Sequence, residues 1–160
     1  MKVRHVKENE IGQIGRIYYE SWKFGYKGII PDDYLNSLTI DNCTPKKINL
    51  DKNLVVLDNG ICVGVCNISS GRDKDMSDHG EICALYLLPD YFGKGFAKPL
   101  FEAAVKELRD KGFIRQYLWV LADNIRARKF YEKNGFHNSG ETRKITICNK
   151  ELLETKYINY

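Results

Sequence analysis

Two stretches of this chain hold reactive or ligand-binding residue types at useful spacings. The first is Pro89-Asp90-Tyr91-Phe92-Gly93-Lys94-Gly95-Phe96-Ala97, between an apolar run and an amphipathic one. Small residues at 93, 95 and 97 let backbone approach a ligand closely. The start of the following helix exposes unpaired N–H groups at the positive end of the helix dipole. Together these make a phosphate site, and Lys94 and Lys98 add positive charge beside it. The same pattern also describes an ordinary strand-to-helix turn. No Gly-Lys-Ser/Thr follows, so it is not a Walker loop. What precedes it reads as a hairpin, whereas a dinucleotide fingerprint needs a βαβ unit.

The second stretch, Leu118 to Phe136, is more specific. Asn124 stands where a strand hands over to a helix, the position of an N-cap. Tyr131 follows two helical turns later, so the two side chains share a face. Phe130 reads as core. Tyr131 reads either as core with a satisfied hydroxyl or as a side chain aimed at a ligand.

Positioning these residues requires strands and helices in a definite order, and the hydrophobic periodicity supplies it. Val3–Val6 reads as a short strand. Ile11, Ile14, Tyr18 and Trp22 recur at helical spacing until Gly25, Gly28 and Pro31 break the pattern. A shorter helix runs from Asp32 to about Leu38. Asp41 to Asn49 is polar, either a turn of helix or a loop. Leu54–Leu57 and Ile61–Cys66 flank Asn59-Gly60, a favoured hairpin pair. Ser69 to His79 is a polar loop, and Glu81–Leu88 is apolar enough for a central strand. Leu100, Phe101, Ala104, Val105 and Leu108 form a helical stripe that Lys111-Gly112 ends. Tyr117–Leu121 is a strand, Ile125 to about Asn134 is a helix closed by Gly135, and the tail can form two strands around Asn149-Lys150. This order predicts a mixed α/β (α+β) domain, with helices packed on a largely antiparallel sheet.

Bulk properties narrow the function classes. A chain of 160 residues without repeats or a linker-like tract suits one domain over residues 1–160. Twelve per cent aromatic content argues against disorder. A net charge of +4, with no Lys/Arg block, favours small anionic ligands slightly and argues against nucleic acid. No stretch is long and apolar enough to span a membrane, and no apolar leader follows Met1. The cysteines, at 43, 62, 66, 83 and 148, are odd in number and contain no C-x-x-C, which fits a reducing cytoplasm. No Cys/His cluster has metal-ligand spacing, so no metal is expected.

Taken together, the two stretches resemble the paired cofactor motifs of the GNAT superfamily of N-acetyltransferases. Its Arg/Gln-x-x-Gly-x-Gly/Ala pattern aligns with Phe92, Gly93, Lys94, Gly95, Phe96 and Ala97. Its Asn-x-x-Ala-x-x-Phe-Tyr-x-x-x-Gly-Phe run aligns with Asn124, Ala127, Phe130, Tyr131, Gly135 and Phe136. The order of elements is similar along the whole chain, and the specific part spans Glu81 to Phe136. One departure is Phe92, where the family usually has Arg or Gln. A side-chain donor to the diphosphate is lost there while the backbone donors remain. A hydrogen bond to a charged group is worth roughly 1.5–3 kcal/mol, so the loss implies weaker cofactor binding rather than none.

The resemblance implies acetyl-CoA as cosubstrate and a pair of central strands that splay apart. Pantetheine would pair with backbone at Leu85, Tyr86 and Leu87, by addition to a strand edge. The diphosphate would rest on amides of residues 93 to 98. The Leu87 amide is a candidate to polarise the thioester carbonyl. Tyr131 would protonate the departing thiolate, since thiol and phenol pKa values lie near about 8.5 and 10. An alkylammonium has a pKa near about 10.4 and must lose a proton before it attacks. Either a base or a proton-conducting water chain must remove it; Glu81, at the start of the central strand, is the candidate base, with His79 the alternative. An exposed strand-start role for Glu81 and a solvated loop role for His79 stay open. Trp22 and Tyr26 are candidates to frame the acceptor, or else form an aromatic helix end in the core. Asp32 and Asp33 would attract a cationic acceptor, or serve only as first-turn helix acids. The reaction expected is direct transfer to a small-molecule amine. A protein N-terminus or lysine as acceptor, or a non-catalytic CoA sensor, are the alternatives. A homodimer joined through the tail strands is possible.

Overall fold

The computed structural model describes the whole chain, Met1 to Tyr160. Its strands are β1 (Lys2–His5), β2 (Asn53–Asp58), β3 (Ile61–Ser70), β4 (Gly80–Leu87), β5 (Gln116–Leu121), β6 (His137–Ile147) and β7 (Lys150–Ile158). Its helices are α1 (Ile11–Gly25), α2 (Asp32–Ser37), α3 (Ile40–Cys43), α4 (Ala97–Asp110) and α5 (Ile125–Lys133). The strands make one sheet in the order β1-β2-β3-β4-β5-β7-β6. Every neighbouring pair is antiparallel except β4 and β5, which are parallel. This is the mixed, helix-flanked sheet that the periodicity predicts.

Local chemistry explains the turns. Asn59 and Gly60 take φ of 47° and 84° and fold β2 onto β3. The tail hairpin turns one residue earlier than expected. Cys148 and Asn149 are its two left-handed residues, with φ of 46° and 60°, and Lys150 already belongs to β7. The polar 41–49 segment does hold a turn of helix at its start, α3. Thr39 Oγ1 accepts from the Asn42 amide at 3.1 Å and caps it. That helix packs on α1 at Gly15, where a Cβ would fall 1.8 Å from Thr44 Oγ1, so the close approach requires glycine. The first strand is Lys2–His5, one residue earlier than predicted, because its register lies on Leu57 to Leu54.

The parallel pair positions the site. β4 and β5 are joined only at Gly80↔Gln116 and Glu81↔Tyr117. Beyond those two pairs the strands diverge into a V. On the β5 side, β4 has no strand partner from Ile82 to Leu87, so main-chain polar groups face the gap.

Aromatic packing fixes the walls of the V. Phe101 of α4 lies 5.4 Å from Phe130, 5.6 Å from Tyr131 and 5.3 Å from Phe136, centroid to centroid. This cluster locks α5 to α4 and sets the direction of Tyr131. Edge-on and offset aromatic pairs contribute about 0.5–1.5 kcal/mol each beyond area burial. On the other side, Trp22 and Tyr26 at the end of α1 join a smaller apolar cluster with Ile30, Leu35, Leu121 and Leu152.

Candidate active site

The V opens into a cleft of about 630 Å³. One wall is the free edge of β4, from Ile82 to Leu87. The bend after β4 contributes Phe92, Gly93, Gly95, Ala97 and Lys98, and α5 contributes Asn124, Ala127, Phe130 and Tyr131. Trp22 and Tyr26 face it from α1. The structure therefore brings together nearly all the residues singled out in the sequence, including Leu85, Tyr86 and Leu87.

The bend is built as a cradle. Gly93 and Gly95 take φ of 73° and 85°, left-handed backbone that strains any other residue. The amides of Phe92 and Lys94 are used locally, donating to Pro89 and Tyr91 carbonyls at 3.0 and 3.3 Å. Those of Gly93, Gly95, Phe96, Ala97 and Lys98 find no backbone acceptor. No side chain caps α4 at Phe96, and its first turn carries no acid. Unpaired N–H groups and an uncompensated helix start leave the cradle ready for an anion. Two expected contributors turn away: Phe96 packs edge-on against Tyr91 at 4.9 Å, and Lys94 stands over the same ring at 6.0 Å. Neither side chain lines the cleft.

Phe92 is held between two partners. Phe24 lies 5.6 Å from it, and the Arg126 guanidinium lies 4.0 Å over its ring. Arg126 itself lines the cleft. A cation thus stands beside the position where the motif lacks one.

Asn124 caps α5, its side chain accepting from the Ala127 amide at 3.2 Å. Tyr131 is 8% exposed, and burial raises its phenol pKa well above the ordinary value, with smaller contributions from Cys66 and Tyr86 and none from a hydrogen bond. Its hydroxyl is kept protonated and unengaged. Tyr26 donates to or accepts from Tyr86 Oη at 3.2 Å and packs edge-on to Trp22 at 5.0 Å. Burial pushes the Tyr26 phenol up to about 12.

Both candidate bases lie elsewhere. Glu81 sits at the closed vertex of the V, is 2% exposed, and does not line the cleft. Its carboxylate accepts from Arg72 Nε (2.9 Å), Arg72 Nη2 (2.6 Å), the Arg72 amide (3.0 Å) and Tyr117 Oη (3.1 Å). All four donors belong to the chain and take up both carboxylate oxygens, so Glu81 is a clasp holding the polar loop to β4 and β5. His79 is buried beside it, bonded to Asp78 Oδ1 at 2.7 Å and packed on Tyr160 at 5.2 Å. Asp32 and Asp33 are the first-turn acids of α2 and lie off the cleft.

Residues 16–136 match the model of the Acetyltransferase (GNAT) family. The chain belongs to this family. As a GNAT acetyltransferase it is 28% identical over 141 residues to a spermidine N(1)-acetyltransferase of Thermoplasma acidophilum, covering 85% of this chain and 88% of that one. It is 30% identical over 125 residues to an uncharacterized N-acetyltransferase of Bacillus subtilis, covering 76% and 72%. Among solved structures, the PaiA N-acetyltransferase of T. acidophilum in complex with coenzyme A superposes with a TM-score of 0.73 at 25% identity, covering 98% of each chain. A ribosomal-protein-alanine N-acetyltransferase from Brucella melitensis shares the fold, with a TM-score of 0.78 at 17% identity.

The GNAT motifs themselves do not announce two lining residues. Arg126 occupies an unspecified position of the Asn-x-x-Ala motif. Glu154 lines the cleft from β7, opposite Leu121 of β5. Nothing local in Leu152-Leu153-Glu154-Thr155 marks it, because only the register of the tail hairpin turns it inward.

Proposed function

We propose that this protein transfers an acetyl group from acetyl-CoA to a primary amine of a small molecule, by direct attack, in a single domain working in the cytoplasm. One observation carries the reading: the free edge of β4, the unpaired amides of the 93–98 bend and the Tyr131 phenol open onto one cleft. The CoA-bound T. acidophilum relative supports the choice of cosubstrate, and the spermidine-acetylating relative supports an amine acceptor. Five free cysteines support a reducing compartment.

Acetyl-CoA, when bound, supplies an activated thioester carbonyl. The chain's own residues do the rest. Main-chain groups of Leu85, Tyr86 and Leu87 pair with an extended amide-bearing arm as a further strand would. Amides from Gly93 to Lys98 hold the diphosphate, with Arg126 as the cation that Phe92 does not supply. The acceptor ammonium first loses one proton to solvent water, so that a neutral amine attacks. Tyr131, protonated because burial disfavours its anion, donates its proton to the leaving sulfur, and the proton that the nitrogen sheds on becoming an amide returns to the phenolate. Trp22 and Tyr26 exclude water from the acceptor side.

The test has two parts. Calorimetric titration with CoA is expected to give a 1:1 isotherm. Thiol release assayed over a panel of amines is expected to give turnover that Tyr131→Phe reduces without weakening CoA binding. No association with CoA would end the reading. Tight binding with no turnover on any amine would leave a sensor instead.

A further inference from the structure

The acceptor side of the cleft carries an unusual amount of information. Trp22, Tyr26, Ile30, Leu121, Ile145 and Ile147 line it, all apolar or aromatic. Among them projects the carboxylate of Glu154, and no other Asp or Glu lines any part of the cleft. The position follows from register. Glu154 faces Leu121 across β5 and Arg143 across β6, while Leu152 faces Ile145, so these side chains share one surface of the sheet. The Glu154 side chain is 15% exposed. Arg143 Nε donates to Oε2 at 2.6 Å. That fixes the carboxylate and leaves Oε1 for a ligand. Arg143 does not line the cleft; it stacks on Trp119 at 4.3 Å and holds Glu154 from the β6 side.

We propose that Glu154 anchors the ammonium group of the acceptor, and that the acceptor is a primary monoamine with an apolar body. The assignment rests on the acetyl-transfer reading and narrows it to a substrate class. A cation brought into an apolar wall needs a paired anion, and the wall offers one. A polyamine would bring two or more further charges into the same surroundings with no partner for them. The acceptor class thus differs from that of the spermidine-acetylating relative. An amino acid would add a carboxylate, and three of the cleft's four cations, Lys98, Lys129 and Lys133, lie on α4 and α5, with Arg126 stacked over Phe92. The six apolar side chains instead match an aryl or alkyl body, whose burial drives binding. Glu154 then supplies direction: it receives the nitrogen as ammonium, and once one N–H proton has passed to solvent water the neutral nitrogen, still donating to Oε1, is held at one place in the wall and attacks from there.

Calorimetric titrations with 2-phenylethylamine, hexylamine, spermidine and phenylalanine, each with and without saturating CoA, test this. Thiol-release kinetics run in parallel. The monoamines are expected to bind best. Glu154→Gln should raise their Kd and KM tenfold or more, change kcat less, and leave CoA affinity unchanged. Raising ionic strength should weaken monoamine binding in the parent and less so in E154Q. Arg143→Ala separates recognition from scaffolding: it frees the carboxylate, so monoamine binding should hold or tighten. The proposal is overturned if E154Q binds the monoamines like the parent, if R143A loses as much as E154Q, or if spermidine or phenylalanine is preferred. Because the amine titrations do not require turnover, they decide the role of Glu154 even where the CoA titration or the thiol assay defeats the acetyl-transfer reading.

Discussion

Replacing Arg126 by Ala probes how this chain binds an anion without the usual side chain at position 92. The Arg126 guanidinium sits 4.0 Å over the Phe92 ring, at the bend whose amides are unpaired. Stacking on an aromatic ring at an exposed site contributes about 0.5–1 kcal/mol and preorganises the cation. A hydrogen bond to a charged group contributes about 1.5–3 kcal/mol. Arg126 is exposed, so the lower figure applies. About 1.5 kcal/mol corresponds to roughly a tenfold rise in the CoA Kd. Titration calorimetry at low and high salt measures it, and the parent should lose affinity with salt more steeply than R126A. A second variant checks the geometry. Phe92→Arg added to R126A moves the cation to the motif position and should recover most of the loss. An R126A protein that binds CoA as the parent does, at either salt, refutes the compensation outright.

Other consequences are measurable. Tyr131→Phe should lower kcat by about 10²–10⁴-fold, the range of a lost general acid, with CoA Kd unchanged; equal loss in both would make Tyr131 a packing residue only. Glu81→Gln should destabilise the fold by about 1–3 kcal/mol in urea titration, through donors left without their charged acceptor, yet leave kcat/KM within a few-fold of the parent. A collapse of kcat with stability intact would restore Glu81 as the base. Stability should fall steeply in alkali. Burial raises the phenols of Tyr18, Tyr26, Tyr86 and Tyr131 above the usual value, so above about pH 10 the unfolded chain releases protons that the folded chain keeps. Each such tyrosine then removes about 1.4 kcal/mol per pH unit; a urea midpoint flat from pH 9 to 11 contradicts this. At the acid end, Arg4 holds the Glu10 carboxyl down to about 2, chiefly through its hydrogen bond. That stabilisation is present above the unfolded pKa of about 4.3 and disappears as pH falls toward 2. Glu10→Gln should flatten the acid limb of the midpoint curve.

Local patterning made much of this molecule readable in advance. Helical stripes such as Leu100, Phe101, Ala104 and Leu108 bury the face they predict. Asn59-Gly60 turns as its backbone preferences require, and the bend between Phe92 and Lys98 takes the left-handed backbone that its glycines allow. Tyr131 was legible because a helix preserves spacing over two turns. Non-local facts were not. Glu81 looked available because a strand start looks exposed; Arg72, nine residues earlier in a polar loop, folds back to take both its oxygens. Its place at the vertex depends on where β4 and β5 part, which neither strand encodes alone. Glu154 and Arg143 face one another only through the pairing of β6 with β7, and Glu154 reaches the cleft only through the pairing of β7 with β5. Arg126 matters because of a ring thirty-four positions away in the chain. Registers and loop returns of this kind lie beyond any window of sequence.

The V between β4 and β5 also divides the protein mechanically. Four strands lie on one side and three on the other, and the main chain stitches the two leaves together at two residue pairs and through the Arg72–Glu81–Tyr117 clasp. Whatever pairs along the open edge of β4 becomes a rivet across that seam. Ligand binding should therefore slow amide exchange not only where it touches but across both leaves, and raise the melting temperature by mass action on the joined form.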